Sequence, residues 1–322
     1  IFNINKMQKF EKAPYLELEN YKAPKGGNFI FIPMQDNKRI RLAYWKQNNS
    51  DHEAVCTVLL QQGHNEFIEK YYECIQDLLD KHFNVVCFDW RGQGLSDRMI
   101  ESANKQYIED FSIHSEDLSY IVKDIINKEF PGPLIGIGHS MGGHLLLLSQ
   151  QHNQENFEAI ILSAPMLGFK YEKILFFLSN IVKFFFKKDE YFLFSKPNMG
   201  KETPFEKNDL TSDLARYKRT QKLVRKKPSI RLWGITNAWV NATKNSLINM
   251  RNKNWYKLIK TPICIVNPLC DRVVNPEKTK EMARNLQNCK IYNIENCEHE
   301  ILMEKDSLRS EFWKIFDDFI KI

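Results

Sequence analysis

One short stretch, residues 134–143, constrains the fold of this chain more than any other. It reads LIGIGHSMGG: an apolar run long enough for a buried strand leads into the pentapeptide GHSMG, and an apolar helical segment follows. Glycine-x-serine-x-glycine between a strand and a helix is typical of a nucleophile elbow, a strained turn that holds a serine above a sheet. Small residues two positions to either side let strand and helix pass closely. The stretch therefore predicts that Ser140 is a nucleophile.

Apolar strands alternate with amphipathic helices along most of the chain. Strands are predicted at residues 28–32, 40–45, 54–60, 83–88, 134–138, 159–163, 262–266 and 290–294, the first two as an antiparallel hairpin. Helices are predicted from about 66 to 81, at 106–128, after residue 143, at 276–287 and at 308–321. This alternation indicates an α/β fold whose mostly parallel sheet is covered by helices on both faces. Functional residues in such folds follow the carboxyl ends of the strands.

An acid and a base follow the two strands downstream of the serine. Asp271 comes after the seventh predicted strand and His299 after the eighth. The order Ser, Asp, His along the chain is that of α/β hydrolases. We expect His299 to accept the proton of Ser140 and Asp271 to orient the imidazole and stabilise its cation. Glu298, beside the histidine, is expected to face solvent instead.

Hydrolysis of an acyl bond also needs N–H donors for the oxyanion. One is predicted to be the backbone amide of Met141, directly after the serine, and the other the amide of His64 in the loop after the third strand. Gly63 lets the backbone of that loop turn inward. No role is assigned to the His64 imidazole.

The segment DWRGQGLSD (residues 89–97) combines two glycines with an arginine, which suggests phosphate binding at first sight. It lacks the spacing G-x-G-x-x-G, and the helix after it begins late. We therefore interpret it as a structural loop in which Asp89 and Arg91 pair beneath the site.

Residues 166–258 interrupt the strand–helix alternation and carry an unusual charge. They contain 20 Lys and Arg against 7 Asp and Glu, whereas the whole chain has 46 against 40. A basic block on an acidic body implies either that one face meets an anion or that the surface is simply lysine-rich. Seven of the cations crowd one short segment: Arg216, Lys218, Arg219, Lys222, Arg225, Lys226 and Lys227. Their density suits phosphate head groups or an anionic lipid surface.

The same block contains an apolar helical segment, ILFFLSNIVKFFF (residues 174–186). Thirteen residues with a lysine among them are too few to span a bilayer. They could line an acyl pocket or lie in a membrane interface, and some of the aromatic side chains are expected to pack on the body of the protein.

Four core motifs together resemble one family: GHSMGG (138–143), DWRGQGLS (89–96), CDRVV (270–274) and EHEILME (298–304). The chain is similar over residues 28–322 to bacterial lysophospholipases of the monoglyceride-lipase-like group of α/β hydrolases. FEKNDLTSD (205–213), Arg216-Tyr217 and Trp239 resemble the lysophospholipase branch. One departure is Gln62-Gly63, where relatives of the monoglyceride lipase type have His-Gly.

The resemblance implies an α/β-hydrolase fold with an inserted helical cap. The core would comprise residues 1–165 and 259–322, and the cap residues 166–258. It also implies ester hydrolysis without a metal or other cofactor, with Ser140, Asp271 and His299 as the triad. Cap residues Arg216, Arg219, Arg225 and Trp239 are the candidates for substrate binding.

The resulting hypothesis is a serine esterase that deacylates a single-chain lipid, with a lysophospholipid as the favoured substrate. The alternatives are a monoacylglycerol lipase or general carboxylesterase, an aminopeptidase of the proline-releasing type, and a catalytically idle lipid-binding scaffold. We expect transient contact with an anionic membrane surface through the basic cap, and no nucleic-acid partner. Residues 1–25 contain no apolar run of signal-peptide length, and buried free cysteines suit a reducing compartment. A cytoplasmic location is therefore expected.

Overall fold

The computed structural model describes residues 6–47, 56–102, 104–153, 156–193, 195 and 202–320. These residues form eleven strands: β1 Glu11–Lys12, β2 Asn28–Pro33, β3 Arg39–Trp45, β4 Thr57–Gln61, β5 Asn84–Phe88, β6 Lys105–Gln106, β7 Leu134–His139, β8 Ala159–Ser163, β9 Gly234–Ile235, β10 Ile263–Pro268 and β11 Cys289–Ile294. All eight predicted strands are found, with ends shifted by a few residues. Residues 54 and 55, where the third was expected to begin, lie outside the described residues.

Nine of the strands form one twisted sheet in the order β1-β2-β3-β5-β4-β7-β8-β10-β11. The first three strands pair antiparallel, and β3 pairs antiparallel with β5. From β5 to β11 every neighbouring pair is parallel. The carboxyl ends of β4, β7, β10 and β11 consequently meet along one edge, where the candidate residues follow them. The two-residue strands β6 and β9 pair with each other.

The described helices are α1 Tyr72–Asp80, α2 Phe111–Tyr120, α3 Asn127–Glu129, α4 Met141–Asn153, α5 Glu172–Phe185, α6 Leu214–Lys226, α7 Asn237–Met250, α8 Lys253–Leu258, α9 Pro276–Ala283 and α10 Asp306–Ile320. A π-helical segment, Ile121–Ile126, joins α2 to α3. The helix expected from residue 106 begins only at Phe111, because the Asp110 side chain caps it by accepting from the Ser112 amide. Residues 105 and 106 pair with β9 instead.

Two apolar layers cover the two faces of the sheet. Successive side chains of a strand point to opposite faces, so Leu59 of β4 packs with α2 and α4, while Val58 and Leu60 pack with α1 and α10. Burial on both faces explains why the parallel strands read as continuous apolar runs. This packing fixes the strand ends that carry the site.

The loop after β5 is structural, but its predicted ion pair is wrong. Asp89 accepts from Arg41 Nε of β3 at 2.7 Å. Arg91 instead donates to Asp117 of α2 and to Asp36, at 2.6 and 2.5 Å. Gly94, in this loop, lies so close to the Asp89 carboxylate that any side chain there would collide with it. Asp89 and Arg91 are adjacent enough in sequence to suggest a pair, yet each finds a partner from a different element.

Candidate active site

Ser140 lies in a strained turn between β7 and α4. Its φ is 50°, a left-handed conformation that costs free energy in a residue with a side chain. A Cβ on Gly138 would lie 2.7 Å from the backbone of Gly143, and one on Gly142 would collide with the Gln62 carbonyl. Glycine is therefore required at both positions. The turn leaves Ser140 at the N-terminus of α4, where the helix dipole favours negative charge.

The structure brings the three predicted residues into one hydrogen-bonded chain. Ser140 Oγ lies 3.0 Å from His299 Nε2, and His299 Nδ1 lies 2.6 Å from Asp271 Oδ2. All three side chains are buried. This arrangement suits a serine activated by a general base whose orientation is fixed by a carboxylate. The catalytic roles themselves stay predictions.

The Asp271 carboxylate is held on both of its oxygens. Oδ1 accepts from the backbone amides of Val273 and Val274, at 2.7 and 2.9 Å. Oδ2 is thereby left to face His299. The loop after β10 thus fixes the direction from which the carboxylate meets the imidazole.

The loop after β4 is folded against the serine and held by side chains. The amide of Gly63 donates to Glu66 Oε2 at 2.5 Å, and the Gly63 carbonyl accepts from Gln93 Nε2 at 3.2 Å. Gln93 Oε1 in turn accepts from the Asn65 amide at 2.8 Å. His64 lies between these anchored residues, so the orientation of its backbone is set by both neighbours. The amide of Met141 is in the first turn of α4, where N–H groups have no helical partner.

The side chain of His64 is half-buried and packs beside Trp239, with ring centroids 4.9 Å apart and the two rings tilted by 50°. Burial lowers the pKa of this imidazole to about 4, so the ring is neutral at neutral pH. The ring therefore contributes shape to the site rather than charge.

Four charged or titratable side chains beside the triad form a buried network that the sequence analysis missed. Lys70 Nζ lies 2.6 Å from both Glu66 and Glu300, and Glu66 Oε2 lies 2.9 Å from His139 Nδ1. Burial alone would raise the pKa of Glu66, but the charges and hydrogen bonds of Lys70 and His139 hold it well below its usual range. Burial would lower the pKa of His139, yet the Glu66 charge raises it.

That network touches both the loop after β4, which carries the predicted oxyanion donor, and the predicted triad. Glu66 accepts from the Gly63 amide, and His139 Nε2 lies 3.3 Å from the His299 carbonyl. Two carboxylates face two basic groups, so charge is balanced inside a dry region when His139 is protonated. The spacing Glu66, Lys70 at i and i+4 is the one local signal that could have suggested the network.

A cavity of about 200 Å³ opens beside the serine. Its lining is mixed, with polar side chains outnumbering apolar ones. The residues around it include His64, Asn65, Lys70, His139, Ser140, Leu210, Thr211, Arg216, Tyr217, Gln221, Val224, Arg231, Val273, His299 and Met303. Its size and position are suited to the polar head and first carbons of a small ligand.

The cap residues predicted to bind substrate are held in different places. Arg216 lines the cavity, but its guanidinium is bound to Glu73, Asp213 and Asp306. Arg219 also pairs with Glu73 and lies over the ring of Tyr21.

The other two candidates stand apart from the cavity lining. Arg225 is exposed and pairs with Glu202 at 2.8 Å. Trp239 is buried, and its ring contacts that of His64, which does line the cavity. Of the four, Arg216 alone is among the described lining residues, and its charge is already neutralised.

Comparison with protein families finds one match that covers most of the chain. The model of the Hydrolase_4 family, described as "Serine aminopeptidase, S33", matches residues 52–306. That span includes Ser140, Asp271 and His299.

Two curated bacterial proteins are similar along most of their length. Probable lysophospholipase L2 of Haemophilus influenzae is 24% identical over 294 residues, covering 90% of this chain and 91% of that protein. Lysophospholipase L2 of Escherichia coli K12 is 27% identical over 305 residues, covering 88% of this chain and 84% of that protein.

Among solved structures, a soluble variant of monoglyceride lipase from Saccharomyces cerevisiae, in complex with a substrate analog, superposes with a TM-score of 0.73. The sequence identity is 16%, and the match covers 94% of this chain and 99% of that one. At this identity the likeness concerns the fold alone.

Proposed function

Because the chain belongs to the Hydrolase_4 family, we propose that it is a carboxylic ester hydrolase acting on single-chain lipids, with a lysophospholipid as the favoured substrate. The predicted family resemblance and the predicted α/β-hydrolase fold are both confirmed by the comparisons. Two curated relatives carry the name lysophospholipase L2, which supports this substrate class. The observation that carries the proposed chemistry is the hydrogen-bonded chain from Ser140 through His299 to Asp271.

The proposed reaction has two halves. His299 Nε2 accepts the proton of Ser140 as Oγ attacks the ester carbonyl, and the imidazolium then gives that proton to the departing glycerol oxygen. The C–O bond to glycerol breaks and an acyl-serine remains. Water, deprotonated by His299, attacks this ester in the second half, so the fatty acid leaves and Ser140 recovers its proton. The amides of Met141 and His64 hold the oxyanion in both halves.

We assign residues 166–258 to a cap over the core in this proposal. The cavity is lined on one side by Leu210, Thr211 and α6, and on the other by Ser140, His299 and the loop after β4. Arg216 of α6 is bound to Glu73 of α1 and to Asp306 of α10. These ion pairs support a cap held against the core beside the serine.

A single comparison of substrates tests the proposal against its alternatives. Lysophosphatidylcholine and a monoacylglycerol of the same chain length are incubated with the protein, and released fatty acid is measured. We expect kcat/KM to be about tenfold higher for the phospholipid, because a charged head group can form charge-assisted hydrogen bonds in the polar cavity.

Each of the remaining outcomes would indicate a different function. Equal or faster turnover of the neutral lipid would indicate a monoacylglycerol lipase or general carboxylesterase. No turnover of either, with Ser140 still labelled by a fluorophosphonate probe, would direct the search to peptides. An aminopeptidase needs a carboxylate for the substrate amine, however, and cavity residues Glu66 and Glu300 are both bound to Lys70. Absence of labelling would favour the idle scaffold.

Membrane contact is the second part of the proposal, and helix α5 supports it. Leu175, Leu178 and Val182 face the core. A neighbouring side of the helix presents an apolar stripe to solvent, formed by Ile174, Phe177, Ile181, Phe184 and Phe185. Phe184 and Phe185 are 76% and 77% exposed. Of the aromatic side chains in this helix, Phe176 is half-buried and those of the stripe are exposed. None of the described residues of α5 lines the cavity.

Lysines surround this stripe. Lys170, Lys173, Lys183 and Lys187 are exposed near its two ends, and Lys183 Nζ lies 5.0 Å from the centroid of the Phe184 ring. An apolar face rimmed by cations fits the interface of an anionic bilayer. Within the described ranges, no helix combines the length and apolarity needed to cross a bilayer. The contact we propose is therefore peripheral, through α5 as well as the basic residues of α6.

Charging the stripe should release the protein from vesicles. We expect Phe184→Asp/Phe185→Asp to bind phosphatidylglycerol vesicles at least about tenfold more weakly than the wild type, because two apolar rings no longer enter the interface. Co-sedimentation with vesicles measures this. Tyr15→Asp, which alters a half-exposed aromatic that stacks on Phe29 of β2 and lies outside α5 and α6, is the control. Unchanged vesicle binding of the double variant would contradict the contact.

A further inference from the structure

The cavity beside Ser140 contains three cationic side chains, and two of them are neutralised by the protein. Lys70 lies 2.6 Å from both Glu66 and Glu300. Arg216 is bound by three carboxylates, those of Glu73, Asp213 and Asp306. The positive charges of Lys70 and Arg216 are therefore already balanced by carboxylates of the protein.

Arg231 differs from both. Among the residues that the structure describes, no carboxylate lies within ion-pair distance of its guanidinium. Its recorded side-chain contact is a long hydrogen bond from Nη1 to Gln221 Oε1, at 3.4 Å. The guanidinium is half-buried, faces the cavity and has no carboxylate partner there. An anionic ligand in the cavity could therefore pair with it, and such a pair strengthens as water is excluded.

The backbone around Arg231 is held beside the loop after β4 by hydrogen bonds. Residues 230 and 232 are buried, and the extended backbone at 231 directs its side chain to the other side, toward the cavity. The Asn65 side chain both donates to the Leu232 carbonyl, at 3.0 Å, and accepts from the Leu232 amide, at 2.6 Å. Asn65 directly follows His64, so this pair of bonds ties the Arg231 segment to the loop that carries the predicted oxyanion donor.

The charge of Arg231 affects the pKa of His64 in that loop. Burial is the main cause of the lowered pKa of His64, and the nearby guanidinium adds to it. The two side chains therefore border the same part of the cavity. An anionic group bound there would lie within reach of the ester that Ser140 attacks.

We propose that Arg231, with Gln221, binds the phosphate of a glycerophospholipid head group and so selects phospholipid over neutral acylglycerol. The inference rests on the proposed ester hydrolysis and names its specificity residue. A guanidinium presents paired N–H donors that match phosphate oxygens, and the Gln221 amide offers two more. A neutral acylglycerol supplies no anion for this site. None of the four residues singled out from the sequence both lines the cavity and lacks a carboxylate partner.

The test compares two substrates that differ only by phosphate: a 1-acylglycerol 3-phosphate and the 1-acylglycerol of the same chain. We expect Arg231→Met to lower kcat/KM for the phosphate lipid about tenfold to hundredfold and to leave the neutral lipid within about twofold. Arg231→Lys should recover part of the loss. Arg284→Met removes an exposed arginine of the core and controls for net charge.

Two results would overturn the inference: equal losses for both substrates, or no loss for either. If the wild type hydrolyses neither lipid, the proposed function is contradicted. The proposed phosphate site at Arg231 can still be tested by a binding measurement. Binding of the 1-acylglycerol 3-phosphate to the Ser140→Ala protein, with and without Arg231→Met, is then measured by calorimetry. Binding at least about tenfold weaker in the double variant supports the site, and equal binding overturns it. Circular dichroism and Tm confirm that each variant is folded.

Discussion

Replacing Ser140 with alanine is expected to lower kcat for lipid ester hydrolysis by about 10⁶. The alanine has no oxygen to form the acyl intermediate, so His299 and Asp271 are left without a nucleophile to activate. Residual turnover would come from the oxyanion donors and from substrate binding alone. The measurement is fatty-acid release under saturating substrate.

The variant should remain folded, because alanine can adopt the same left-handed backbone at φ 50° with no more strain than serine. Ser149→Ala is the matched control. Its hydroxyl is buried in α4, the helix that follows Ser140, and donates to the Leu146 carbonyl. Loss of activity in both variants, or in neither, would contradict the role proposed for Ser140.

The positions of Ser140, Asp271 and His299 in the fold were predictable from the sequence. A strand that must be buried, followed by small residues and a helix, leaves one backbone path for the turn, and the glycines at 138 and 142 are sterically required there. Asp271 and His299 follow because parallel strands end on one edge of the sheet. Residues 28 to 159 apart in sequence are thereby brought within hydrogen-bond distance.

Ion pairs were far less predictable. Asp89 and Arg91 are two residues apart, yet they bond to residues 48 and 26 positions away. Lys70 and Glu300 are separated by 230 positions. Such partners are chosen by which side chains the fold brings into the same dry space, and no local pattern records that. Arg231 was missed for the same reason. It differs from the other cavity cations because no described carboxylate lies within ion-pair distance of its guanidinium, and the sequence does not reveal which carboxylates lie nearby.

The orientation of helices α5 and α6 was also not predictable from the sequence. The sequence of α5 is apolar nearly all round, so its periodicity could not tell which side would pack on the core. The structure packs Leu178 and Val182 on the core and leaves Phe177, Phe184 and Phe185 exposed. The density of cations in α6 suggests binding of phosphate groups or an anionic lipid surface, whereas Arg216 and Arg219 bind Glu73 of α1.

Replacing Asp271 with asparagine should lower kcat by about 10⁴ while leaving the fold intact. Two backbone amides, those of Val273 and Val274, donate to Oδ1. They will hold the asparagine carbonyl oxygen in that position, so the new NH₂ group must face His299 Nδ1. An NH₂ group donates, and Nδ1 must then accept. The imidazole is thereby forced into the tautomer with its proton on Nε2, which cannot take the proton of Ser140.

The predicted loss therefore arises from the wrong tautomer rather than from a displaced side chain. Labelling of Ser140 by a fluorophosphonate should slow in parallel with turnover, because both need the same general base. Glu298→Gln is the matched control: this neighbouring carboxylate binds Arg272 at 3.1 Å, not the imidazole, so we expect activity within about twofold of wild type. If Asp271→Asn kept activity within about tenfold, or if Glu298→Gln caused the larger loss, the acid of the site would have been assigned to the wrong residue.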